Sequence, residues 1–439
     1  MQSVWRRQKR PKMRLLVLRR QENVDAAKKE SFLPERVFFW LLLAAYSGVM
    51  LYLFTMQCYE VGDFRSDMPD YVNKVRGIAG NYEFPYPFFF TMAKLLAVFA
   101  GAPMGVAITT TVLNALGVLV ARVYMGQQTK SFLDCCGWSY GKRLALEFAM
   151  TVMTFALFLL GNLYSPKNTA FFGFDYSYRC MGIYTPNPIW NATYLATRPF
   201  SIVCFFEAAK LLMTYQDQFQ WKKTLPFAFS LFFMTITKPS YTLVLVPLMG
   251  ILLFKDLIVS KGRSFGNAFR LCVTMIPTGI DMLYQFFGVF TGTNVMGEET
   301  GIAFGFAKVW SNYSKNIPLS ILMGMALALG VLVLNWKTFC GSYMYRFAWY
   351  NYGMGLVMFL CLYEKGFRMM HANFSWGYMH GMFFVFFMTL ILVICNTVQW
   401  RKNWKIIFLP AEWGVLLYHL VCGINFLCYA VGGNDLAGF

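Results

Sequence analysis

Apolar runs of about 20 residues recur along this 439-residue chain, from residue 37 almost to its C-terminus. A hydrocarbon layer of roughly 30 Å is crossed by about 20 apolar helical residues, so such runs are typical of transmembrane helices. At that depth the backbone has no water to bind, and only helices or closed barrels satisfy it. Because the runs lack the period-2 alternation of barrel strands, the sequence predicts an all-α membrane protein.

The composition excludes a soluble protein. Hydrophobic residues make up 57% of the chain, aromatic residues 19% and charged residues only 14%. A soluble core cannot bury so large an apolar share, and no segment has the composition of a separate soluble domain. We therefore expect a single polytopic domain over residues 37–439, with about ten or eleven transmembrane helices.

The positive charge of the chain is concentrated at its N-terminus. The net charge is +18, and residues 1–36 hold eleven Lys or Arg residues against four acids. Positive charge directly before the first apolar run, Val37 to Gln57, is typical of a cytoplasmic anchor. The sequence predicts a basic cytoplasmic tail over residues 1–36, a multi-pass protein of the cell membrane and no nucleic-acid partner. A basic amphipathic stretch lying on anionic membrane lipids is an alternative for the tail.

Placing the strongly basic connections on the cytoplasmic side assigns the other connections to the outer face. This assignment is consistent only if the apolar piece Phe88 to Ala100 does not cross the membrane. That piece is short and is followed by Gly101, so we expect a juxtamembrane or re-entrant helix at the outer face. The predicted outer segments are residues 58–86, 164–197, 291–318 and 364–378, with a short turn at Lys238 and Pro239.

The first outer segment is acidic in a chain with few acids. It contains Glu60, Asp63, Asp67, Asp70 and Glu83 against three bases. Asp67 and Asp70 are three residues apart, and share one face if the segment forms a short helix. A carboxylate at the membrane surface acts as a general base for a hydroxyl acceptor or binds a divalent cation. A solvated, charge-balanced loop is the alternative.

The chain then continues through a Tyr–Pro step, the short apolar helix, Gly101 and a full span that closes with Arg122. Over residues 37–125 this order resembles the N-terminal part of the GT-C superfamily of membrane glycosyltransferases. There an acidic motif follows the first transmembrane helix, and a juxtamembrane helix precedes the second. The resemblance implies a GT-C-like fold, a polyprenyl-phosphate sugar donor and an active site on the outer face. It implies Asp67 as the catalytic acid, with Asp70 or Asp63 as substitutes; many members have adjacent acids, which these are not.

The remaining outer segments combine cations with aromatic and amide side chains. Guanidinium groups bind phosphate bidentately, and pockets that bind sugars use aromatic and amide groups. Lys238 interrupts a long apolar stretch, so a shallow intramembrane cavity is expected around it, with snorkelling to the interface as the alternative. For Arg198 the partner is a phosphate or an outer-loop carboxylate. The predicted substrate- and phosphate-binding residues are Lys238, Arg198, Arg179, Arg368, His371, Asn373 and Trp376.

Together with these residues, the resemblance implies a membrane enzyme that transfers a sugar from a polyprenyl-phosphate donor to a cell-envelope glycan, lipid or protein. A divalent cation such as Mg or Mn is compatible with the acids but not required by them. A polysaccharide polymerase or ligase is one alternative. A transporter or flippase for lipid-linked sugars is another, because Asp281 is an acid inside the apolar run IPTGIDMLYQFF.

Overall fold

The computed structural model describes residues 32–64, 66–78, 84–163, 170–171, 174–175, 185–217, 219–290, 300–314 and 316–434. Most of the predicted N-terminal tail lies outside these residues. The α-helices, in chain order, are α1 (Leu33–Cys58), α2 (Met68–Arg76), α3 (Pro87–Ala100), α4 (Ala102–Phe132), α5 (Tyr140–Leu159), α6 (Ala192–Thr214), α7 (Trp221–Thr237), α8 (Ser240–Val259), α9 (Phe265–Val273), α10 (Ile276–Phe290), α11 (Ile317–Leu334), α12 (Trp336–Gly341), α13 (Tyr343–Cys361), α14 (Ser375–Gln399) and α15 (Leu409–Val431).

Within the described residues, six helical segments are long and apolar enough to cross a membrane. They are α1, α4, α8, α11, the segment Gly366–Gln399 that contains α14, and the segment Trp404–Val431 that contains α15. The prediction of an all-α membrane protein is confirmed. Helices α5, α6, α7, α10 and α13 are shorter or carry more polar side chains, so the number of ten or eleven spans stays a prediction.

Helices α1 and α4 run antiparallel, which three contacts along their length establish. The Thr55 hydroxyl lies 3.7 Å from Met104 Sδ, the Asn114 amide donates to Tyr46 Oη at 2.8 Å, and Arg122 pairs with Glu35 at 2.9 Å. The bundle thus has two ends. We call the end that bears the α1–α2 connection the Asp67 end, and the opposite end the Glu35 end.

A buried network of charges ties α1, α4 and α5 together at the Glu35 end. Arg122 pairs with Glu35 and also with Glu147 at 2.6 Å, and Lys130 pairs with Glu147 at 2.6 Å. The Arg122 Nε also donates to the Thr151 hydroxyl at 2.9 Å. Charges inside an apolar bundle persist only when they are paired, and here two cations meet two carboxylates.

The predicted break after Ala100 is confirmed, and α3 is a separate short helix. Gly101 has a φ of +80°, a conformation that glycine adopts without a steric penalty. The chain reverses there, and α3 and α4 pack so closely that a Cβ at Gly105 would lie 2.5 Å from the Ala93 carbonyl oxygen. The N-terminal turns of α3 contact α2 and α7, with ring centroids 6.0 Å apart for Tyr71 and Phe89 and 5.3 Å apart for Phe88 and Phe233.

Helix α14 is the central helix, buried along almost its whole length. Small residues bring it against α13: a Cβ at Gly355 would lie 2.8 Å from Tyr378 Cα, and one at Gly381 would lie 2.7 Å from Tyr352 Cα. Contact at this distance is typical of helices that associate through backbone packing inside a membrane.

Two short antiparallel ribbons accompany the helices. Strand β1 (Ala170–Phe171) pairs with β2 (Phe174–Asp175), and β3 (Ile302–Phe304) pairs with β4 (Leu362–Glu364) in the register Ile302 to Glu364. The second ribbon joins the described part of segment 291–318 to segment 364–378. Both segments therefore lie at the Asp67 end, beside α14.

Candidate functional site

Lys238 lies in a break between α7 and α8 that the sequence itself imposes. A residue before proline is pushed out of the helical region, and Lys238 precedes Pro239. Its backbone is accordingly extended, so α7 ends at Thr237 and α8 begins at Ser240. The side chain is only 7% exposed at the Asp67 end of the bundle. Lys238 is therefore buried beside a break between two helices, while the cavity around it stays a prediction.

Asn191 connects the charged side chains of the site through hydrogen bonds. As the N-cap of α6 its Oδ1 accepts from the Tyr194 backbone N–H at 2.9 Å, and it also accepts from Lys238 Nζ at 3.2 Å. Its Nδ2 donates to Asp67 Oδ2 at 2.9 Å. The planar amide therefore lies between a carboxylate and an ammonium group and fixes both.

Of the three acids expected to share the catalytic role, Asp67 is the one that reaches this cluster. It is the N-cap residue of α2 and is partly buried. Burial raises the pKa of the Asp67 carboxyl, while the Asn191 hydrogen bond and the charge of Lys238 act in the opposite direction. Asp70 is also partly buried, and burial together with the charge of Glu60 raises its pKa. Asp63 is exposed.

Aromatic side chains form the wall of the cluster. Lys238 Nζ lies 4.7 Å from the centroid of the Trp376 ring, a cation–π distance. The hydroxyl of Tyr71 is 3.4 Å from the Thr193 hydroxyl, which in turn lies 3.2 Å from Lys238 Nζ. Burial raises the pKa values of Tyr71 and Tyr86, so both phenols stay neutral and serve as hydrogen-bonding groups.

The segment before α14 contributes a second cation. Arg368 Nε pairs with Glu364 Oε2 at 2.6 Å, and the Asn373 amide donates to the same oxygen at 2.8 Å. The charges of Arg368 and Glu364 both act on Lys238 and on Tyr86, so this pair borders the cluster. His371 is partly buried at the end of the 3₁₀ turn Gly366–His371, three residues after Arg368.

The pKa of the Lys238 ammonium group is lowered to about 8. Burial is the main cause and the charge of Arg368 adds to it, while the charges of Asp67 and Glu364 act in the opposite direction. The charges of Lys238, Arg368, Asp67 and Glu364 sum to zero when all four groups are ionised. The site is therefore a compact cluster of charged side chains at the ends of helices.

Arg198 does not join this cluster. It is 2% exposed within α6, and its guanidinium donates to Asn114 Oδ1 at 2.9 Å, to the Pro186 carbonyl at 3.0 Å and to Asn187 Oδ1. The rings of Phe158, Tyr194 and Phe383 surround it. These partners are neutral protein groups. In this structure Arg198 therefore holds segment 185–191 against α4 and does not contact Asp67 or Lys238. Arg179 lies outside the described residues.

Several groups of the cluster were not among the predicted site residues: Asn191, Thr193, Tyr71, Tyr86 and Glu364. A signal was present for two of them. Asn191 precedes an apolar helix as an N-cap candidate, and Glu364 stands four residues before Arg368. The phenols and Thr193 carry no local signal, because their role comes from contacts between distant segments.

The cluster does not assemble a divalent-cation site. Among the described residues, no three His, Cys, Asp or Glu side chains come together to hold a metal ion. Asp67 stands instead beside an amide and an ammonium group, and an ammonium repels a divalent cation.

Comparison of the chain with family models, with curated proteins and with solved structures gives no match.

Proposed function

We propose that this chain is a membrane glycosyltransferase of GT-C type. It transfers a sugar from a polyprenyl-phosphate donor to a glycan, lipid or protein acceptor of the cell envelope. The observation that carries the proposal is the meeting of Asp67 and Lys238 on the two sides of the Asn191 amide. A carboxylate and an ammonium held a few ångströms apart are the two charges that glycosyl transfer from a phosphate requires.

In the proposed reaction Asp67 accepts the proton of the acceptor hydroxyl. The freed oxygen attacks the anomeric carbon of the sugar, and the bond from that carbon to the phosphate oxygen breaks. The electron pair leaves with the lipid phosphate, whose growing negative charge Lys238 and Arg368 stabilise. Asn191 occupies Asp67 Oδ2, and among the described residues Oδ1 receives no hydrogen bond. That oxygen is the one assigned to the acceptor hydroxyl.

The proposal also includes an orientation. The eleven cations of residues 1–36 place the N-terminus in the cytoplasm, so α1 delivers the Asp67 end to the outer face. Ten or eleven crossings belong to the same proposal. Polyprenyl chains then lie in the bilayer with their phosphates at the interface, level with the helix ends that bear the cluster.

The experiment is sugar transfer in membranes from polyprenyl-phosphate sugars to endogenous acceptors, comparing the intact chain with Asp67→Asn at matched expression. The matched control is Asp63→Asn, which removes an exposed carboxyl four residues away. We expect Asp67→Asn to lose transfer while retaining binding of the donor, and Asp63→Asn to keep transfer. Equal transfer by the intact chain and Asp67→Asn contradicts the mechanism.

The alternatives are separated by the same assay. A polysaccharide polymerase or ligase shows transfer to a growing or preformed glycan chain only. A transporter or flippase for lipid-linked sugars binds the donor and moves it, but no new glycosidic bond forms with any acceptor.

A further inference from the structure

Helix α10 carries a polar stripe that the proposed reaction does not use. Thr278, Asp281 and Gln285 are spaced by three and four residues and therefore share one face of the helix. The residues between them, such as Ile280 and Leu283, are exposed and apolar. The stripe faces α7, because the Gln285 amide donates to the Thr235 backbone carbonyl at 3.0 Å.

The Gln285 side chain lacks one hydrogen-bond partner, a donor to its Oε1 atom. Its Nε2 has two hydrogens, which go to the Thr235 carbonyl and to Asp281 Oδ2 at 2.6 Å. Its Oε1 is buried and has no partner among the described residues, and the whole side chain is 3% exposed. Exchanging the nitrogen and oxygen positions of the amide does not satisfy both atoms, because Oε1 would then face the Thr235 carbonyl oxygen, which is also an acceptor.

The hydroxyl groups of Thr235 and Thr242 have no hydrogen to spare. Thr235 Oγ1 donates to the Leu231 carbonyl at 2.7 Å, so the hydrogen of the Thr242 hydroxyl, 2.7 Å away, goes to Thr235. What remains around Gln285 is a set of acceptors: its own Oε1 and the Asp281 carboxyl. A buried acceptor without a donor costs free energy, because its lost hydrogen bond to water is not replaced.

We infer that Asp281 and Gln285 form a proton-binding site between α10 and α7, in which the Asp281 carboxyl holds the proton. A proton on Asp281 Oδ1 supplies the donor that Gln285 Oε1 lacks. The acid and the amide then close a ring of two hydrogen bonds, one of which is already present at 2.6 Å. The neutral carboxyl also avoids a bare charge in an apolar helix.

Among the residues that the structure describes, no basic side chain takes the place of this proton. Within the described residues Asp281 forms no ion pair, and Gln285 is the one polar side chain that acts on its ionisation. The cations of the surrounding helices are placed elsewhere. Lys222 and Lys223 lie at the first turn of α7, Lys255 lies beside Asp256 late in α8, Arg270 lies in α9, and Lys238 binds Asn191.

The Asp281–Gln285 site lies next to the cluster of Asp67, Asn191 and Lys238 at two points. Thr235 precedes Lys238 by three residues, which is a rise of about 4.5 Å along α7. Further along α10, a Cβ at Gly288 would lie 3.2 Å from Pro85 Cβ, and Pro85 precedes Tyr86. The protonated pair thus holds α10 against elements that carry the Asp67 cluster. The inference stands on its own geometry and does not require glycosyl transfer.

The test is labelling of the purified full chain in detergent with dicyclohexylcarbodiimide, which reacts with protonated carboxyls in apolar surroundings, followed by peptide mass spectrometry. At neutral pH we expect Asp281 to be labelled at least ten-fold faster than the exposed Asp63, and the label to decline as pH rises. Equal, slow labelling of both acids overturns the inference. Protection of Asp281 by sodium but not by choline also overturns it, in favour of a metal-cation site.

A second measurement uses Asp281→Asn and Asp281→Leu. An Asn amide donates to Gln285 Oε1 and accepts from its Nε2, so it imitates the protonated acid, whereas Leu does neither. We expect the Asn variant to unfold thermally within about 2 °C of the parent and the Leu variant several degrees lower. A markedly destabilised Asn variant shows that the carboxylate is ionised and overturns the inference.

Discussion

The alkaline limit of sugar transfer is set by Lys238 if its ammonium stabilises the departing phosphate. Burial lowers the pKa of this group to about 8. Each pH unit above that value reduces the charged fraction about ten-fold, so the transfer rate at pH 9 is expected near one tenth of its plateau. Arginine stays charged throughout this range. In Lys238→Arg the alkaline decline should therefore vanish, although the plateau falls because a guanidinium must fit beside Trp376.

Removal of the cation gives the size of its contribution. In Lys238→Met we expect a loss of 10²- to 10³-fold in transfer, about 3–4 kcal/mol, as for other preorganised groups that stabilise charge in the transition state. The folded protein should be more stable. With a folded pKa of about 8 against the ordinary lysine value of 10.5, the unfolded chain binds more protons between those values. Below pH 8 the full burial penalty remains, up to about 3 kcal/mol, and methionine removes it.

The assay is the initial rate of transfer from a fixed donor between pH 6 and pH 10, with thermal unfolding of each variant measured alongside. An alkaline decline of the same midpoint in the parent and in Lys238→Arg refutes the assignment of the limit to Lys238. Transfer by Lys238→Met at the parental rate removes the residue from the mechanism altogether.

Three further perturbations test other parts of the structure. Asn191→Ala should destabilise α6 by about 1 kcal/mol through loss of its N-cap, seen in thermal unfolding, and should move the acidic limit of transfer to higher pH, because the Asn191 hydrogen bond lowers the pKa of Asp67. Gly381→Leu should abolish folding, measured as monodisperse protein on size exclusion, whereas Gly414→Leu, where a Cβ meets nothing within 4 Å, should be tolerated. Arg122→Leu should cost about 3–5 kcal/mol of stability, because it leaves the buried Glu35 carboxylate without its cation and Glu147 with Lys130 alone, while exposed Lys142→Leu should change it little.

The breaks in the helices were predictable because they follow from single residues. Pro239 fixes the end of α7, and Gly101 fixes the reversal between α3 and α4, whatever the rest of the chain does. The meeting of Asp67, Asn191 and Trp376 around Lys238 was predictable in outline as well, since polar connections between apolar spans must collect at the two faces.

The choice among the acids was beyond sequence reasoning. The spacing of Asp67 and Asp70 predicts a shared helical face, but α2 begins at Met68, so Asp67 lies before the helix as its N-cap. One residue of difference in a helix boundary turns one carboxylate toward Asn191 and leaves the other outside that hydrogen bond. Helix boundaries are uncertain by about that amount in any sequence-based assignment.

The environment of Arg198 was also out of reach, because its partners come from distant parts of the chain. Asn114 is 84 residues away and stands on α4, and no local pattern links the two. Sequence reasoning weighed a phosphate or a carboxylate as the partner of a costly buried cation. The fold instead surrounds it with amide and carbonyl oxygens and aromatic rings, which share its charge without a counter-ion.

Several helix N-termini meet at the cluster. Asn191 caps α6, Lys238 and Pro239 precede α8, Asp67 stands at the N-cap position of α2, and Trp376 lies in the first turn of α14. Each helix N-terminus carries the equivalent of roughly half a positive charge, while the C-terminus of α7, which ends at Lys238, opposes them. Because helix N-termini favour anions, under the proposed function they would act together with Lys238 on the phosphate of the donor. The Asn191 amide meanwhile holds the Asp67 carboxylate beside this cation.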